Sequence, residues 1–193
     1  MKLYTGRGDD GDTDLWSGGR TSKSSPRIEA YGTLDELNAH VGEALSAEKE
    51  NVDESETKPG TDVGESLEVI QDLIFKAQAE LANADETADH PRIGETEVEW
   101  IENRCDEIDE GLEPLESFVH PGGGNTGSKL HLARTVCRRA ERRIVTLDES
   151  EEGDLRSELT VFVNRLSDLL FALARYANQV DGVEETTPDY DRI

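Results

Sequence analysis

Five segments of the chain carry apolar residues at spacings of three and four, which is the repeat of an amphipathic α-helix. The segments cover about 33–47, 65–82, 95–112, 128–148 and 154–181. Stretches in which β-branched and polar residues alternate are scarce, so strands have little support in the sequence. Because a helix with one apolar face buries it against other helices, the chain is predicted to fold as an all-α bundle of five helices.

The apolar stripe is clearest in the fourth segment. It consists of Leu130, Ala133, Cys137, Ala140, Ile144 and Leu147. The first segment opens with Thr33 and Glu36, whose T-x-x-E spacing predicts a capping box at the start of the first helix. Cys105 lies in the third segment, and the sequence has no C-x-x-C pair. Both cysteines are therefore interpreted as small core thiols in a reducing compartment.

Irregular segments flank and separate the helices of what is predicted to be one domain, residues 1–193. Residues 1–26 form a loop rich in Gly, Ser and Thr, residues 48–64 an acidic linker, and residues 183–193 a polar tail. The first residues lack the apolar run of a leader sequence. No window reaches the length of about 18 apolar residues that a membrane span requires. We expect a soluble, cytoplasmic protein.

The chain is strongly acidic, with 44 Asp and Glu residues against 20 Lys and Arg residues and a formal net charge of -24. Such a surface repels nucleic acid and anionic membranes, which argues against both as partners. The apolar residues fall in periodic blocks, so the composition does not indicate disorder. Surface carboxylates keep a folded domain soluble in concentrated salt, and we therefore expect a salt-loving source organism.

Two glycine-rich stretches have the spelling of phosphate-binding loops without their structural context. Gly6, Gly8 and Gly11 spell G-x-G-x-x-G, yet no strand precedes them and no helix follows at once. Gly122 and Gly127 have Walker spacing, but Ser128 stands at the lysine position. The first stretch is interpreted as an irregular loop and the second as a turn that opens a helix.

The fourth segment also carries a cluster of arginines, in the run "ARTVCRRAERR". Arg134, Arg138 and Arg142 are four residues apart, so on a helix they form one column. Like charges in that column repel each other unless an anion or a carboxylate lies between them. The run indicates either a solvated face with surface ion pairs or a site for an oligoanion, and the fork of arginine suits phosphate.

The fifth segment adds a stripe of polar and aromatic residues, formed by Asn164, Asp168, Phe171 and Arg175. Phe171 in the core and Asp168 in a plain ion pair would account for it equally well. No Ser-His-Asp or Cys-His set is evident, and the four histidines lack the spacing of metal ligands. The features together indicate phosphate chemistry without general acid–base residues.

Three blocks of the sequence resemble the signature blocks of the PduO-type ATP:cob(I)alamin adenosyltransferases. They are "YTGRGDDGDTDLWSGGRTSKSSPRIEAYGTLDELN", "LHLARTVCRRAERRIV" and "FVNRLSDLLFALARYAN". The resemblance implies a five-helix bundle with ferritin-like up-down packing that assembles as a homotrimer with ATP at the subunit interfaces. It implies transfer of the 5′-deoxyadenosyl group of ATP to the cobalt of cob(I)alamin, with release of triphosphate and a requirement for Mg²⁺. With the acidic composition, it suggests a halophilic archaeon as the source.

The resemblance also implies roles for individual residues. Arg134, Arg138, Asp35 and Asn164 are the implied catalytic residues, and Arg134 is expected to pair with Asp35 of a neighbouring subunit. Phe171 is expected to line the corrin, and no side chain is implied as a metal ligand. The implied ATP contacts are Thr5, Gly6, Arg7, Gly8, Thr13, Asp14, Lys23, Arg138, Arg139, Glu141, Arg142 and Asn164.

The sequence departs from the resemblance at the corrin side. Relatives often carry a phenylalanine in the loop before the third helix that helps to displace the lower axial ligand of cobalamin. This loop has none here, and Ile93 is the nearest hydrophobic candidate. Leu169 stands where an aromatic residue is common.

Partners and rival functions follow from the same resemblance. A Co(II) corrinoid reductase and an adenosylcobalamin-dependent enzyme are the implied protein partners. The alternatives are an inactive ATP- or corrinoid-binding module that acts as a chaperone or regulator, and a structural acidic bundle whose arginine helix is an ion-pair seam.

Overall fold

Five helices and one short hairpin make up the regular structure of the described part of the chain. The computed structural model describes residues 4–16, 18–51, 63–83, 89–150 and 155–192. The hairpin pairs β1 (Asp12–Asp14) antiparallel with β2 (Arg20–Ser22), with Thr13 opposite Thr21. The helices are α1 (Pro26–Asn51), α2 (Val63–Ala82), α3 (Glu95–Asp109), α4 (Asn125–Asp148) and α5 (Ser157–Val180). The five-helix prediction is confirmed, and most of the acidic linker lies outside the described residues.

The helix α4 is the centre of the packing. It lies against both α1 and α5, while α2 packs on α1 and α3 packs on α5. The predicted stripe from Leu130 to Leu147 is buried, together with the facing side chains Leu34, Phe162 and Leu166. Each fully buried Leu, Ile or Phe side chain among them contributes about 1.5–3 kcal/mol through removal from water. Cys137 is buried, Cys105 is half-buried against the core, and both are free thiols.

The first helix begins earlier than predicted. Pro26 takes the first helical position, where its missing N–H has no partner to lose, and the Ser25 hydroxyl accepts the Ile28 N–H at 3.4 Å. Thr33 therefore lies inside the helix, and its hydroxyl donates to the Glu29 carbonyl at 2.6 Å. The predicted capping box at Thr33 is wrong because the Ser-Pro pair upstream already starts the helix.

A buried carboxylate joins α2, the segment before α3 and the start of α5. Glu80 accepts the Ile93 N–H at 2.7 Å and pairs with the Arg156 Nε at 3.1 Å, while Arg156 also donates to the Ile93 carbonyl. The Ile93 side chain is fully buried. This placement disagrees with the expectation that Ile93 faces the corrin, because the side chain has no exposed surface.

The glycine-rich turn before α4 packs closely against α5. A Cβ on Gly127 would lie 2.0 Å from the Oδ1 of Asn178, so only glycine fits there. Asn178 bridges the turn, since its Nδ2 donates to the Gly122 carbonyl at 3.0 Å and its Oδ1 accepts the Gly124 N–H at 2.9 Å. The Walker-like spelling thus reflects packing, as the interpretation of a helix-opening turn expected.

None of the helices in the described ranges combines the length and the apolar composition that a membrane span needs.

Replacing Glu80 by Ala is expected to lower the free energy of unfolding by about 2–3 kcal/mol, because the Ile93 N–H and the Arg156 guanidinium lose a shared acceptor. Chemical denaturation followed by circular dichroism measures the change. The matched control is Glu68→Ala on the same helix, which removes an exposed ion pair to Lys49 at 2.7 Å and should change stability by less than about 1 kcal/mol. Equal losses in the two variants would contradict the role of Glu80.

Candidate functional site

The arginines of α4 divide between two faces. Arg139 pairs with Glu36 of α1 at 2.5 Å, and Arg143 lies 3.7 Å from Glu29 of the same helix. These two fit the ion-pair interpretation of the run. They turn toward α1 because they follow Arg138 and Arg142 by one residue, which is a rotation of about 100° on a helix.

Arg134, Arg138 and Arg142 form the other face, which we call the arginine column. Arg138 and Arg142 are exposed, and the Arg142 Nη1 donates to the Arg138 carbonyl at 2.8 Å. Within the described ranges, none of the three makes an ion pair with a carboxylate. Three neighbouring guanidinium groups without a counter-charge are destabilised in isolation, so the column is suited to bind an anion with several negative charges.

Asn164 of α5 is fixed beside the column by α4. Its Nδ2 donates to Glu141 at 2.8 Å, and its Oδ1 accepts from the Arg165 Nη1 at 2.7 Å. Arg165 is held in turn by Glu102 at 2.9 Å. These bonds set the orientation of the carboxamide before any ligand arrives, which a binding group requires for precise placement of its partner.

An aromatic and cationic cluster lies at the N-terminal end of the column. The Arg134 guanidinium lies 5.7 Å from the Phe171 ring centroid, and the His131 ring lies 5.9 Å from it at 55°. Both distances are those of ring contacts that stabilise by about 1 kcal/mol. Phe171 is half-buried, so part of the ring remains available on the surface.

The charge states in this cluster are set by burial. His131 is buried and neither ring nitrogen has a hydrogen-bond partner among the described residues. Burial lowers the pKa of His131, the Arg134 charge lowers it further, and the Glu185 carboxylate acts in the opposite direction. The imidazole is therefore neutral near pH 7. Burial also lowers the pKa of Arg134, with a smaller effect in the same direction from Arg138.

Asp35 does not meet Arg134 within one chain. It is exposed on α1, and its Oδ1 accepts from the Gln78 Nε2 at 3.3 Å. The pair expected between these residues therefore has no counterpart inside the monomer.

The N-terminal loop is organised by its own ion pairs. Arg7 binds Asp14 at 2.7 Å, and Arg20 pairs with Asp10 at 3.0 Å while it donates to the Arg7 carbonyl at 2.9 Å. Two of the four aspartates that follow Gly8, Asp10 and Asp14, thus have close arginine partners inside the loop. The Asp12 backbone N–H is the main cause that lowers the pKa of Asp10, and Arg20 adds to the shift.

The predicted phosphate ligand of the loop, Lys23, lies against the glycines. Its Nζ donates to the Gly8 carbonyl at 2.6 Å, and its N–H donates to the Gly11 carbonyl at 2.9 Å. Gly11 has a φ of +91°, which a side chain would strain. Thr5 accepts the Arg7 N–H at 3.4 Å, Thr13 lies in β1, and Gly6 is exposed. The candidate loop residues therefore form one compact unit.

The loop and the arginine column are separate in one chain. The loop docks at the end of α2, where the Trp16 N–H donates to the Ala82 carbonyl at 3.2 Å. In the part of the chain that the structure describes, no hydrogen bond or ion pair joins the loop to α4. The described residues of one chain therefore make no direct polar contact between the two halves of the expected ATP site.

A residue that the sequence analysis did not single out is Phe118. It lies in residues 110–124, the connection between α3 and α4, and its side chain is 82% exposed. A corrin-side aromatic residue was expected only in the loop before α3, and that loop has none. The sequence signal that could have found it is an aromatic residue two positions before His120, just ahead of the glycines at 122–124.

Among the described residues, no group of three or more His, Cys, Asp or Glu side chains could hold a metal.

Several known proteins are similar to this chain in sequence and in fold. The cobalamin adenosyltransferase family pattern matches residues 3–177. A corrinoid adenosyltransferase of Bacillus subtilis is 42% identical over 193 residues, which covers 100% of this chain and 93% of that protein. A corrinoid adenosyltransferase PduO of Salmonella typhimurium is 41% identical over 98% of this chain, which spans only 55% of that protein's length.

Solved structures agree with these relatives. A phenylalanine-to-histidine variant of a PduO-type ATP:corrinoid adenosyltransferase from Lactobacillus reuteri, complexed with cobalamin and ATP, matches with a TM-score of 0.85. It is 34% identical, and the match covers 98% of this chain and 97% of that chain. An arginine-to-lysine variant complexed with ATP matches with a TM-score of 0.83, at 36% identity over 97% of this chain and 100% of that one. The chain therefore belongs to the cobalamin adenosyltransferase family.

Proposed function

We propose that this chain transfers the 5′-deoxyadenosyl group of ATP to the cobalt of cob(I)alamin and releases triphosphate. The observation that carries the proposal is the arginine column, which has no carboxylate partner in the described ranges and stands beside the fixed carboxamide of Asn164. Family membership and the relatives solved with cobalamin and ATP support the same reaction.

The reaction requires no general acid or base, in agreement with the lack of a Ser-His-Asp or Cys-His set in the sequence. The Co(I) centre supplies the electron pair that forms the cobalt–carbon bond at C5′, and the C5′–O bond breaks with its electron pair going to triphosphate. The leaving group is already an oxyanion, so no proton has to be moved. The protein has to align the two substrates and stabilise charge on the triphosphate, which Arg138 and Arg142 do with their guanidinium groups.

The loop contributes to an ATP site that two chains share. Lys23 and Arg7 contact phosphate, and Arg138, Glu141 and Asn164 of the next chain complete the site. This sharing is supported by the separation of the loop from α4 in the monomer. The ion pairs of Arg20 with Asp10 and of Arg7 with Asp14 support it as well, because they reduce the repulsion between loop carboxylates and triphosphate.

The same sharing implies a homotrimer in which Arg134 of one chain pairs with Asp35 of its neighbour. Exposed apolar residues on α4 and α5, among them Leu132, Val145 and Val161, support an interface on these helices. Phe171 and the exposed Phe118 are assigned to the corrin side, since the relatives solved with cobalamin include variants at a phenylalanine.

Mg²⁺ fits this site as a companion of ATP. The donor set it prefers is phosphate oxygens and water with one or two carboxylates, and Glu141 is a half-buried carboxylate next to Asn164. When bound, Mg²⁺ supplies further neutralisation of the triphosphate charge. A reductase has to supply the Co(I) state, and the net charge of -24 supports a saline source habitat.

The function is tested by anaerobic incubation of the protein with ATP, Mg²⁺ and chemically reduced cobalamin. Absorbance is expected to show the formation of adenosylcobalamin, with one triphosphate released per product. Bound ATP without product would favour an inactive binding module. If the protein forms no product and also binds no ATP, the proposed function is refuted.

Replacing Arg138 by Ala is expected to lower kcat by about 10²–10³-fold, because the triphosphate loses a fixed cationic donor. Helix content by circular dichroism should not change, since the side chain is exposed. The matched control is Arg143→Ala, which removes an arginine of the same helix that faces Glu29. Similar kinetics in both variants would show that the column has no special role.

Replacing Lys23 by Ala is expected to raise the KM for ATP by about tenfold with a smaller change in kcat, because Lys23 contacts phosphate before reaction. Steady-state kinetics at saturating cob(I)alamin measure the split. Lys49→Ala, which removes a surface partner of Glu68, serves as the control. A fall in kcat alone would place Lys23 in the transition state instead.

Mixed oligomers test whether two chains share each site. Arg138→Ala and Lys23→Ala chains, refolded together, should regain activity at limiting ATP, because some interfaces then combine an intact loop with an intact column. Each variant refolded alone is the control. Activity of the mixture that equals the average of the two variants would contradict a shared site.

A further inference from the structure

The connection between α3 and α4, residues 110–124, is fastened at both ends by α5. Near its start, the Gln179 Nε2 donates to the Gly111 carbonyl at 3.1 Å. At its end, the buried Asn178 side chain binds both Gly122 and Gly124. The middle of the connection, which carries Phe118, is held by different partners.

One of these partners is Arg175, a guanidinium that is almost fully buried. The residue is 7% exposed, its Nε donates to the Glu185 carboxylate at 2.9 Å, and its Nη2 donates to the Glu113 carbonyl at 2.9 Å. A single side chain of α5 thus binds the connection on one side and the polar tail on the other. A buried charge with two defined acceptors fixes geometry, because loss of either acceptor leaves the guanidinium unsatisfied.

A second partner joins the tail directly to the connection. The His120 N–H donates to the Thr186 carbonyl at 2.8 Å, and the His120 Nδ1 lies 3.1 Å from the Thr186 hydroxyl. The Val183 N–H donates to the Asn178 carbonyl at 2.8 Å, which anchors the tail to the end of α5. Phe118 therefore stands between two held positions, Glu113 and His120.

The tail also reaches the other aromatic position. The Oε1 of Glu185 is buried and has no hydrogen-bond partner among the described residues. The carboxylate lies close enough to His131 to oppose the effect of burial on the pKa of that ring. His131 contacts Phe171. Through Arg175, Glu185 thus links the tail both to α5, the helix that carries Phe171, and to the connection that carries Phe118.

We infer that Arg175, Glu185 and Thr186 form a latch that positions Phe118 and Phe171 for the corrinoid substrate. The three are positioning residues, and the inference rests on the proposed function. An exposed aromatic side chain on an unfastened connection must be ordered when the ligand binds, and that ordering weakens the complex. The latch orders the connection before the ligand binds, so the complex is not weakened in this way. Its three residues are distinct from Lys23 and Arg138, the proposed contacts of ATP.

Hydrogen–deuterium exchange tests the latch without any turnover. Glu185→Gln keeps the shape of the side chain and removes its charge, which weakens the hold of Arg175 on the tail and the connection. The backbone amide of His120, which donates to the Thr186 carbonyl, is therefore expected to exchange at least about tenfold faster. Glu184→Gln, a change at the exposed neighbouring residue, is the matched control and should leave exchange unchanged. Exchange in α1 should not change in either variant.

Corrinoid binding tests the consequence. In Glu185→Gln and in Arg175→Lys, which cannot reach both acceptors at once, the Kd for cobalamin measured by absorbance with ATP present should rise about tenfold. The KM for cob(I)alamin should rise in parallel. The KM for ATP should stay within about twofold of the wild type, because neither substitution changes a proposed ATP contact.

The results separate the inference from the proposed function. Faster exchange of the His120 amide together with weaker cobalamin binding supports the latch. Unchanged exchange, unchanged cobalamin binding, or equal rises in both KM values overturn it. If the wild-type protein binds cobalamin but forms no adenosylcobalamin, the proposed function fails, and the exchange and binding measurements still decide whether the latch exists.

Discussion

Repulsion among three arginines on one face of α4 is the constraint on which the rest of the site depends. Arg134, Arg138 and Arg142 lie one turn apart, and the described part of the chain offers none of them a carboxylate. Each like-charge contact of this kind costs a few tenths of a kcal/mol. A chain with 44 acidic residues could easily have neutralised the column. The carboxylates of α1 pair with Arg139 and Arg143 instead, so the column is left for an anion that comes from outside.

The neighbourhood of the column is built around this arrangement. Glu141 lies within the arginine run, but it holds the Asn164 amide at 2.8 Å. The loop carboxylates Asp10 and Asp14 are bound by the loop's own arginines. Glu141, Asp10 and Asp14 thus each have a partner of their own and compete less with triphosphate for the arginines. The loop docks at the end of α2, so in the proposed shared site it is a neighbouring chain that brings a loop to the column.

The periodicity of apolar residues was sufficient to predict the five helices, since each buries one stripe against α4 or its neighbours. It did not locate the start of α1, because two capping signals compete and the Ser25–Pro26 pair prevails over Thr33. The spacing of the arginines predicted the column, but it left open whether the run is an ion-pair face or an anion site. Only the packing of α1 against α4 separates Arg139 from Arg138.

The corrin side could not be derived from the sequence, because it depends on contacts between distant segments. Ile93 looked available in a polar loop, yet Glu80 and Arg156 hold it in the core. Phe118 looked like part of a chain break, yet its surroundings are fixed by Arg175 and by the polar tail. Neither set of contacts has a short-range sequence signature.

Calorimetric titration with inorganic triphosphate tests the central claim most directly, because it measures anion binding by the column without cobalamin or chemistry. We predict that the wild-type protein binds triphosphate and that Arg138→Ala weakens binding by at least about tenfold, whereas Arg143→Ala leaves it unchanged. Equal affinity in all three proteins would contradict the account, since the column would then not be the site of the anion.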